Sequence, residues 1–355
     1  MRVWTLPLAA VLLSLLFSLA IAEVVIRLVI GAPMQEQFPL LEVVPDRELG
    51  FFMVPGSFHY TYQVPVQLND LGFRGPQVSA EKPVGEVRLL ALGDSHVYGQ
   101  GVADEDLMTT RLESLLQQAN PSCRIRVINL GVRGYSINQE AALIKNLAPR
   151  LAGQRVLFFP YLNDFDPVDI GRRFRYHHYF DRYVFDLTDK AEGDALAKWQ
   201  WRQIFRHSAL LMWGHDMVEL YRSRDHLENR ILQGVKDEEV VAIRQKVGGH
   251  LQELARWSDA YGLPVTVIPV PAAPQLVRDF PNELYQSFFR EWAERLNWHY
   301  ADPLPVMRQQ SKQLGRLPVL PYDGHYDAHG QKALAVAVAE HLGQGGFSCP
   351  EEAVR

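Results

Sequence analysis

The stretch Leu92-Gly93-Asp94-Ser95-His96-Val97-Tyr98-Gly99 follows the apolar run Val87 to Leu92 and precedes a helix-like segment. A serine at the end of a buried strand, between glycines that let the backbone turn sharply, is placed to present a nucleophile at a sheet edge. Taken alone, the same residues also read as a turn whose serine caps a helix. What surrounds them in the chain separates the two readings.

From Val87 onward strand and helix patterns alternate, which predicts a parallel sheet covered on both faces. The first strand, Val87 to Leu92, leads through the Ser95 loop to a helix from about Asp104 to Gln118. The second, Arg124 to Asn129, ends in Leu130-Gly131-Val132-Arg133-Gly134-Tyr135 and is followed by a helix from about Asn138 to Leu147. The third, Arg155 to Phe159, ends at Pro160-Tyr161-Leu162-Asn163-Asp164. In an open parallel sheet such loops share one edge, where ligands bind beyond the carboxyl ends of the strands. The alternation resumes with a helix over Lys236 to Tyr261, a strand over Pro264 to Val270, a helix over Asn282 to Asn297 and a short strand over His299 to Ala301. Last comes Pro321-Tyr322-Asp323-Gly324-His325-Tyr326-Asp327-Ala328-His329-Gly330, before a helix over Gln331 to Leu342.

A serine nucleophile needs a base within hydrogen-bond reach, a group that orients the base, and donors aimed at the oxyanion that forms. These loops offer each part: Ser95 as nucleophile, His325 as base, and Asp323 reaching back to orient the imidazole. The oxyanion donors are then the backbone N–H groups of Ser95 and Gly134 and the side-chain amide of Asn163. His325 and His329 are four apart, as metal ligands on a helix would be, but Tyr326-Asp327 stands where the zinc-protease motif needs its glutamate. Gly93, Gly99 and Gly101 meet neither the dinucleotide nor the P-loop spacing. Neither metal nor cofactor is expected.

With Gly93-Asp94-Ser95, then Gly134, then Asn163-Asp164, then Asp323-Gly324-His325 in this order, the chain resembles the SGNH, or GDSL-type, serine hydrolases from about Arg88 to Leu342. The resemblance implies a three-layer α/β/α, flavodoxin-like fold with a five-stranded parallel sheet, and ester hydrolysis or acyl transfer without a cofactor. The turn Asn69 to Gly75 also resembles one that precedes the serine block in membrane-anchored members. Two departures stand out: His96 occupies a position that is often apolar, and one residue separates Asp323 from His325 where two are commoner. Asp327 is the alternative acid, and Gly131 the alternative to Gly134.

The chain begins with an uncharged run, Val3 to Ala22, between Arg2 and Glu23. Its 20 residues span about 30 Å as a helix, the thickness of a bilayer core. Residues 1–30 therefore read as a transmembrane anchor, with Arg2 favouring a cytoplasmic N-terminus. Ala20-Ile21-Ala22 also fits a signal-peptide cleavage site, and either way the rest of the chain is expected outside the cytoplasm. Residues 31–85 read as an extended leader packed on the core, with a strand at Tyr60 to Val64. Residues 86–345 form the hydrolase domain, with an aromatic-rich helical insertion at about 165–235, and 346–355 a tail. The insertion holds Arg172, Arg173, Arg175, His177, His178 and Arg182, then a helical stretch from about Ala195 to Arg222. It reads either as a lid or groove over the active edge or as helices burying their own aromatics. A net charge of −5 without a basic stripe gives no reason to expect nucleic acid. Cys123 and Cys349 are too few for a disulfide scaffold.

The expectation is a membrane-anchored or exported esterase acting on an acyl or acetyl ester, with a surface or secreted glycan as an attractive substrate because aromatics stack on sugar rings. The alternatives are a polysaccharide O-acetyltransferase using the same triad and a non-catalytic carbohydrate-binding protein of the same fold.

Overall fold

The computed structural model describes residues 5–79, 81–165, 174–177, 182–185, 201–280 and 284–345. In chain order, helix α1 (Thr5–Val29) is followed by two small antiparallel pairs, β1 (Val43–Asp46) with β2 (Gly50–Met53) and β3 (Phe58–Thr61) with β4 (Val64–Gln67). The alternating region then runs β5 (Glu86–Gly93), α2 (Ser95–Tyr98), α3 (Met108–Ala119), β6 (Arg124–Gly131), α4 (Ile137–Leu151) and β7 (Arg155–Phe159). A hairpin of β8 (Phe174–His177) and β9 (Arg182–Phe185) precedes α5 (Ala209–Arg222), α6 (Leu227–Leu232) and α7 (Glu238–Ala260). The chain closes with β10 (Val265–Val267), α8 (Leu284–Arg295), β11 (His299–Tyr300), α9 (Leu304–Leu314) and α10 (Ala328–Gln344).

Five strands form one parallel sheet in the order β11-β10-β7-β5-β6. Every residue of β5 is buried, as a strand covered on both faces must be. Its side chains alternate between two cores: Leu90 and Leu92 pack with α4, α7 and α8 residues such as Ile144, Leu251 and Phe289, while Leu89 and Ala91 pack with Leu112 of α3 and Leu334 and Val338 of α10. That period of two makes the three-layer α/β/α sandwich expected from the sequence.

Several local expectations need correction. The leader strand over Tyr60 to Val64 is instead the tip of the β3–β4 hairpin, because Tyr62 takes a left-handed conformation with φ of 58° and reverses the chain. Helix α9 was not expected, although Pro303 opens it and Gly315 closes it in a left-handed cap. The described part of the insertion bears on the second reading only. Trp201 and Trp213 remain 58% and 41% exposed, so these aromatics are not buried among themselves, and α5 packs against α1. Arg172, Arg173, His178 and residues 195–200 lie outside the described residues. Cys123 is disulfide-bonded, and Cys349 lies outside the described residues.

The leader docks on the serine loop through the Asn69 to Gly75 turn. Asn69 Oδ1 accepts from the N–H groups of Leu71 and Phe73 at 3.0 and 3.1 Å, which closes the turn and aims Arg74 inward. The buried Arg74 guanidinium donates to the carbonyls of Tyr98 at 3.2 Å, Gly99 at 2.6 Å and Val102 at 2.7 Å, and pairs with Asp104. It thereby satisfies the Tyr98 and Val102 carbonyls and shares the Gly99 carbonyl with Val102 N–H. Arg74→Met leaves the Tyr98 and Val102 carbonyls without the guanidinium, so it is expected to cost about 3 kcal/mol in a denaturant titration. A loss under about 1 kcal/mol would show that the leader is not part of the folded core.

Candidate active site

Ser95 opens α2 directly beyond the carboxyl end of β5. The turn is tight because Gly93 and Gly131 have no side chain: a Cβ at Gly93 would lie 2.5 Å from Val97 Cγ2, and one at Gly131 would lie 2.1 Å from Tyr98 N. Asn129 fastens the same approach, donating from Nδ2 to Val97 O at 2.8 Å and accepting Gly131 N–H at 2.9 Å. Gly131 is thus the contact that lets the serine helix lie on β6. Gly134 differs: its φ is 78°, and a Cβ there would meet only Phe51 Cζ, at 3.9 Å. Of the two glycines, Gly134 is the one whose backbone has an open side.

Ser95 Oγ lies 2.8 Å from His325 Nε2, and His325 Nδ1 is hydrogen-bonded to Asp323 Oδ1. The one-residue spacer makes this reach possible. Tyr322 and Gly324 have φ of 61° and 91°, so the chain curls and Asp323 Oδ1 accepts both the His325 ring N–H and the His325 backbone N–H, the latter at 3.2 Å. With the Nδ1 proton held by Asp323, Nε2 presents its lone pair to the serine hydroxyl. Asp327, the alternative acid, has another role: it caps α10 by accepting from His329 and Gly330 N–H at 2.9 and 3.0 Å, and pairs with Arg316 at 2.7 Å.

Two further residues hold Asp323. Tyr62 donates its hydroxyl to Oδ2, and Gln100 Nε2 donates to the same oxygen at 3.3 Å. Burial pushes the Asp323 carboxyl up, but the hydrogen bonds from His325 and Tyr62 outweigh it and hold it well below the usual carboxylate range. Nothing in the sequence marked Tyr62 or Gln100; Tyr62 is 261 residues away from Asp323.

Beneath the serine, the fully buried Asp94 accepts from Asn163 Nδ2 on Oδ2 at 3.1 Å and from His96 N–H on Oδ1 at 2.8 Å. Ser95 Oγ also lies 3.1 Å from Oδ2, but its one proton serves the nearer acceptor, His325 Nε2. Burial raises its carboxyl, yet the His96 contacts outweigh this and leave it at about 2. Asp94 therefore joins the Ser95 loop to the Asn163 loop. The His96 ring packs 3.9 Å from Tyr161 and 4.9 Å from His325, centroid to centroid. Burial first of all holds His96 below its ordinary value. Farther in, Glu140 and Asp164 are fully buried, and both carboxyls are raised well above their usual range, by burial first and then by Asp94 for Glu140 and by Glu140 for Asp164.

One group beside the serine helix gives the fold an acid limit. His59 is buried against Tyr98, and burial, with the cations Arg133 and Arg74, holds its imidazole down to about 3. The unfolded chain takes up that proton near pH 6.5, and the folded chain does not until about pH 3. Stability is therefore full above the unfolded value and falls by about 2 kcal/mol from pH 6.5 to 5 on account of this residue. His59→Gln should remove that share of the slope when denaturation midpoints are measured across the interval; an unchanged slope would mean that His59 is protonated when folded.

No family model matches the chain, and no curated protein does. Solved structures similar to it include TesA, at 14% identity over 72% of this chain and 97% of that one, with a TM-score of 0.43. A lipolytic protein of the G-D-S-L family from Veillonella parvula is 12% identical over 73% and 99%, with a TM-score of 0.41. An acetylxylan esterase from Geobacillus stearothermophilus is 16% identical over 74% and 95%, with a TM-score of 0.42. At these identities none of them passes a residue role or a substrate to this chain.

Proposed function

We propose that the protein is an SGNH-type serine hydrolase of carboxylic esters. One observation carries this reading: the continuous hydrogen-bond relay from Ser95 Oγ through His325 to Asp323 at the carboxyl edge of a parallel sheet. As Oγ attacks the ester carbonyl carbon, its proton passes to His325 Nε2, and the carbonyl oxygen becomes an oxyanion facing the N–H groups of Ser95 and Gly134 and the Asn163 amide. Collapse of the tetrahedral intermediate breaks the bond to the alcohol oxygen, which takes the proton from Nε2 and leaves an acyl-serine. Water then repeats the sequence with the same base and releases the acid and Ser95. The relay needs no metal or organic group for any of these transfers.

Asp323 stabilises the imidazolium that forms in each step, and Tyr62 and Gln100 keep its second oxygen occupied. The single disulfide at Cys123 and the 23-residue apolar helical segment Pro7–Val29 support an anchored protein whose catalytic domain faces an oxidising, extracytoplasmic space. The substrate class this favours is an acyl or acetyl ester on a surface molecule, a glycan among them.

Initial rates on nitrophenyl acetate, butyrate and decanoate test the reading, with sugar alcohols added to compete with water for the acyl-serine. Hydrolysis with acyl transfer to water dominant is the expected outcome. A folded protein that cleaves none of the three contradicts the proposal, and preferential capture by sugar hydroxyls would make it a transferase.

A further inference from the structure

Helix α5 carries an apolar face on the outside of the molecule. At 3.6 residues per turn, Leu211, Trp213, Met217, Val218, Leu220 and Tyr221 fall within one half of its circumference. All six are exposed, from 41% for Trp213 to 69% for Tyr221. The other half carries the buried Ala209 and Met212 with half-buried Asp216.

The start of the helix fixes where this face lies. The Glu23 carboxylate accepts from Ser208 Oγ at 2.7 Å and from the N–H groups of Ala209 and Leu210, each at 2.9 Å. Arg27 Nη2 donates to His207 O at 3.0 Å. Glu23 lies on the last two turns of the apolar helical segment Pro7–Val29, so α5 starts beside the end of a spanning α1, near the boundary of the hydrocarbon. The segment that leads into it reaches the catalytic loop through Tyr62, whose ring lies under Arg206 and whose hydroxyl donates to Asp323. Tyr322, on the same loop, donates to Gly31 O at 3.3 Å, two residues past the end of α1. Arg206, just before α5, lies over the Tyr62 ring at 4.9 Å and donates to Met34 O at 2.6 Å. A 14-residue helix backed by protein on one side, apolar on the other and fixed to the exit of a membrane helix matches the form of one lying in the headgroup–acyl boundary.

We propose that α5 beds its apolar face in the lipid surface and seats the Tyr322 to His325 loop against the bilayer, so that the site takes esters presented at that surface. The seat follows from α1 spanning a membrane; the presentation of substrate rests also on the hydrolase reading.

The test uses the full chain in phospholipid nanodiscs, with nitroxide labels at Val218→Cys and, separately, Glu219→Cys. The Val218 label should collide with oxygen about fivefold more readily than with a water-soluble nickel chelate, and the Glu219 label should show the reverse preference. Equal access at both positions, or chelate preference at Val218, overturns the seat. The double substitution Val218→Glu with Tyr221→Glu should leave hydrolysis of soluble nitrophenyl acetate within about twofold. It should lower hydrolysis of a long-chain ester embedded in the nanodisc by about tenfold. An unchanged rate on the embedded ester, or an equal fall in both rates, overturns surface presentation. A wild-type chain that cleaves neither ester removes the hydrolase reading and presentation together, while the label accessibilities still decide the seat.

Discussion

Ser95→Ala is expected to lower kcat on any ester the protein cleaves by about 10⁴-fold or more, with the fold intact. Ser95 Oγ is the group that His325 Nε2 contacts, at 2.8 Å, so the base loses the hydroxyl it would deprotonate. The cost to the fold is small, because Asp94 keeps its bonds from His96 N–H and Asn163 Nδ2. Losing one hydrogen bond at this position costs about 1 kcal/mol. Steady-state kinetics beside a thermal melt separates the two effects. A variant that keeps a tenth of the wild-type rate would remove Ser95 from the chemistry.

Asp323→Asn is expected to lower kcat by about 10⁴-fold and to leave KM nearly unchanged. An asparagine can turn its amide N–H toward Nδ1, which then holds a lone pair, so the ring proton moves to Nε2 and no acceptor faces Ser95. Asp327→Asn provides the contrast. It keeps a side-chain oxygen able to cap α10 and loses the pairing with the half-exposed Arg316, so kcat should stay within about twofold and stability within about 1 kcal/mol. Equal losses in the two variants would contradict the assignment of Asp323 as the orienting acid.

The sheet was legible because the second half of β5 is apolar on both faces, and a run such as Leu89 to Leu92 has no polar position to place in water. The polar loops after β5, β6 and β7 were legible for the same reason: polarity returns where the strand leaves the core. The packing difference between Gly134 and Gly131 was not, since it depends on the 2.1 Å approach of α2 to Gly131, which exists only once the strands are paired. The short spacing of Asp323 and His325 looked like a weakness in the sequence. It becomes workable through the left-handed backbone at Tyr322 and Gly324, a freedom that glycine at the spacer supplies without cost.

The contact of Tyr62 and the packing of α5 were hidden for a different reason. Tyr62 reaches Asp323 from a hairpin tip that only the folded leader brings there, and no spacing encodes a contact across that distance. The aromatics of the insertion suggested either a lid or a private core, because a sequence shows that side chains are apolar without showing what they face. In the described region the start of α5 is held to α1 through Glu23, while Trp213 and Tyr221 face outward.

The central claim is that Ser95 is a nucleophile activated by His325. Its most direct measurement is reaction of the intact protein with a fluorophosphonate, followed by peptide mass mapping. The account predicts one phosphonyl adduct, on Ser95, absent in Ser95→Ala and strongly slowed in His325→Ala. A folded protein that forms no adduct, or carries it on another residue, would contradict it.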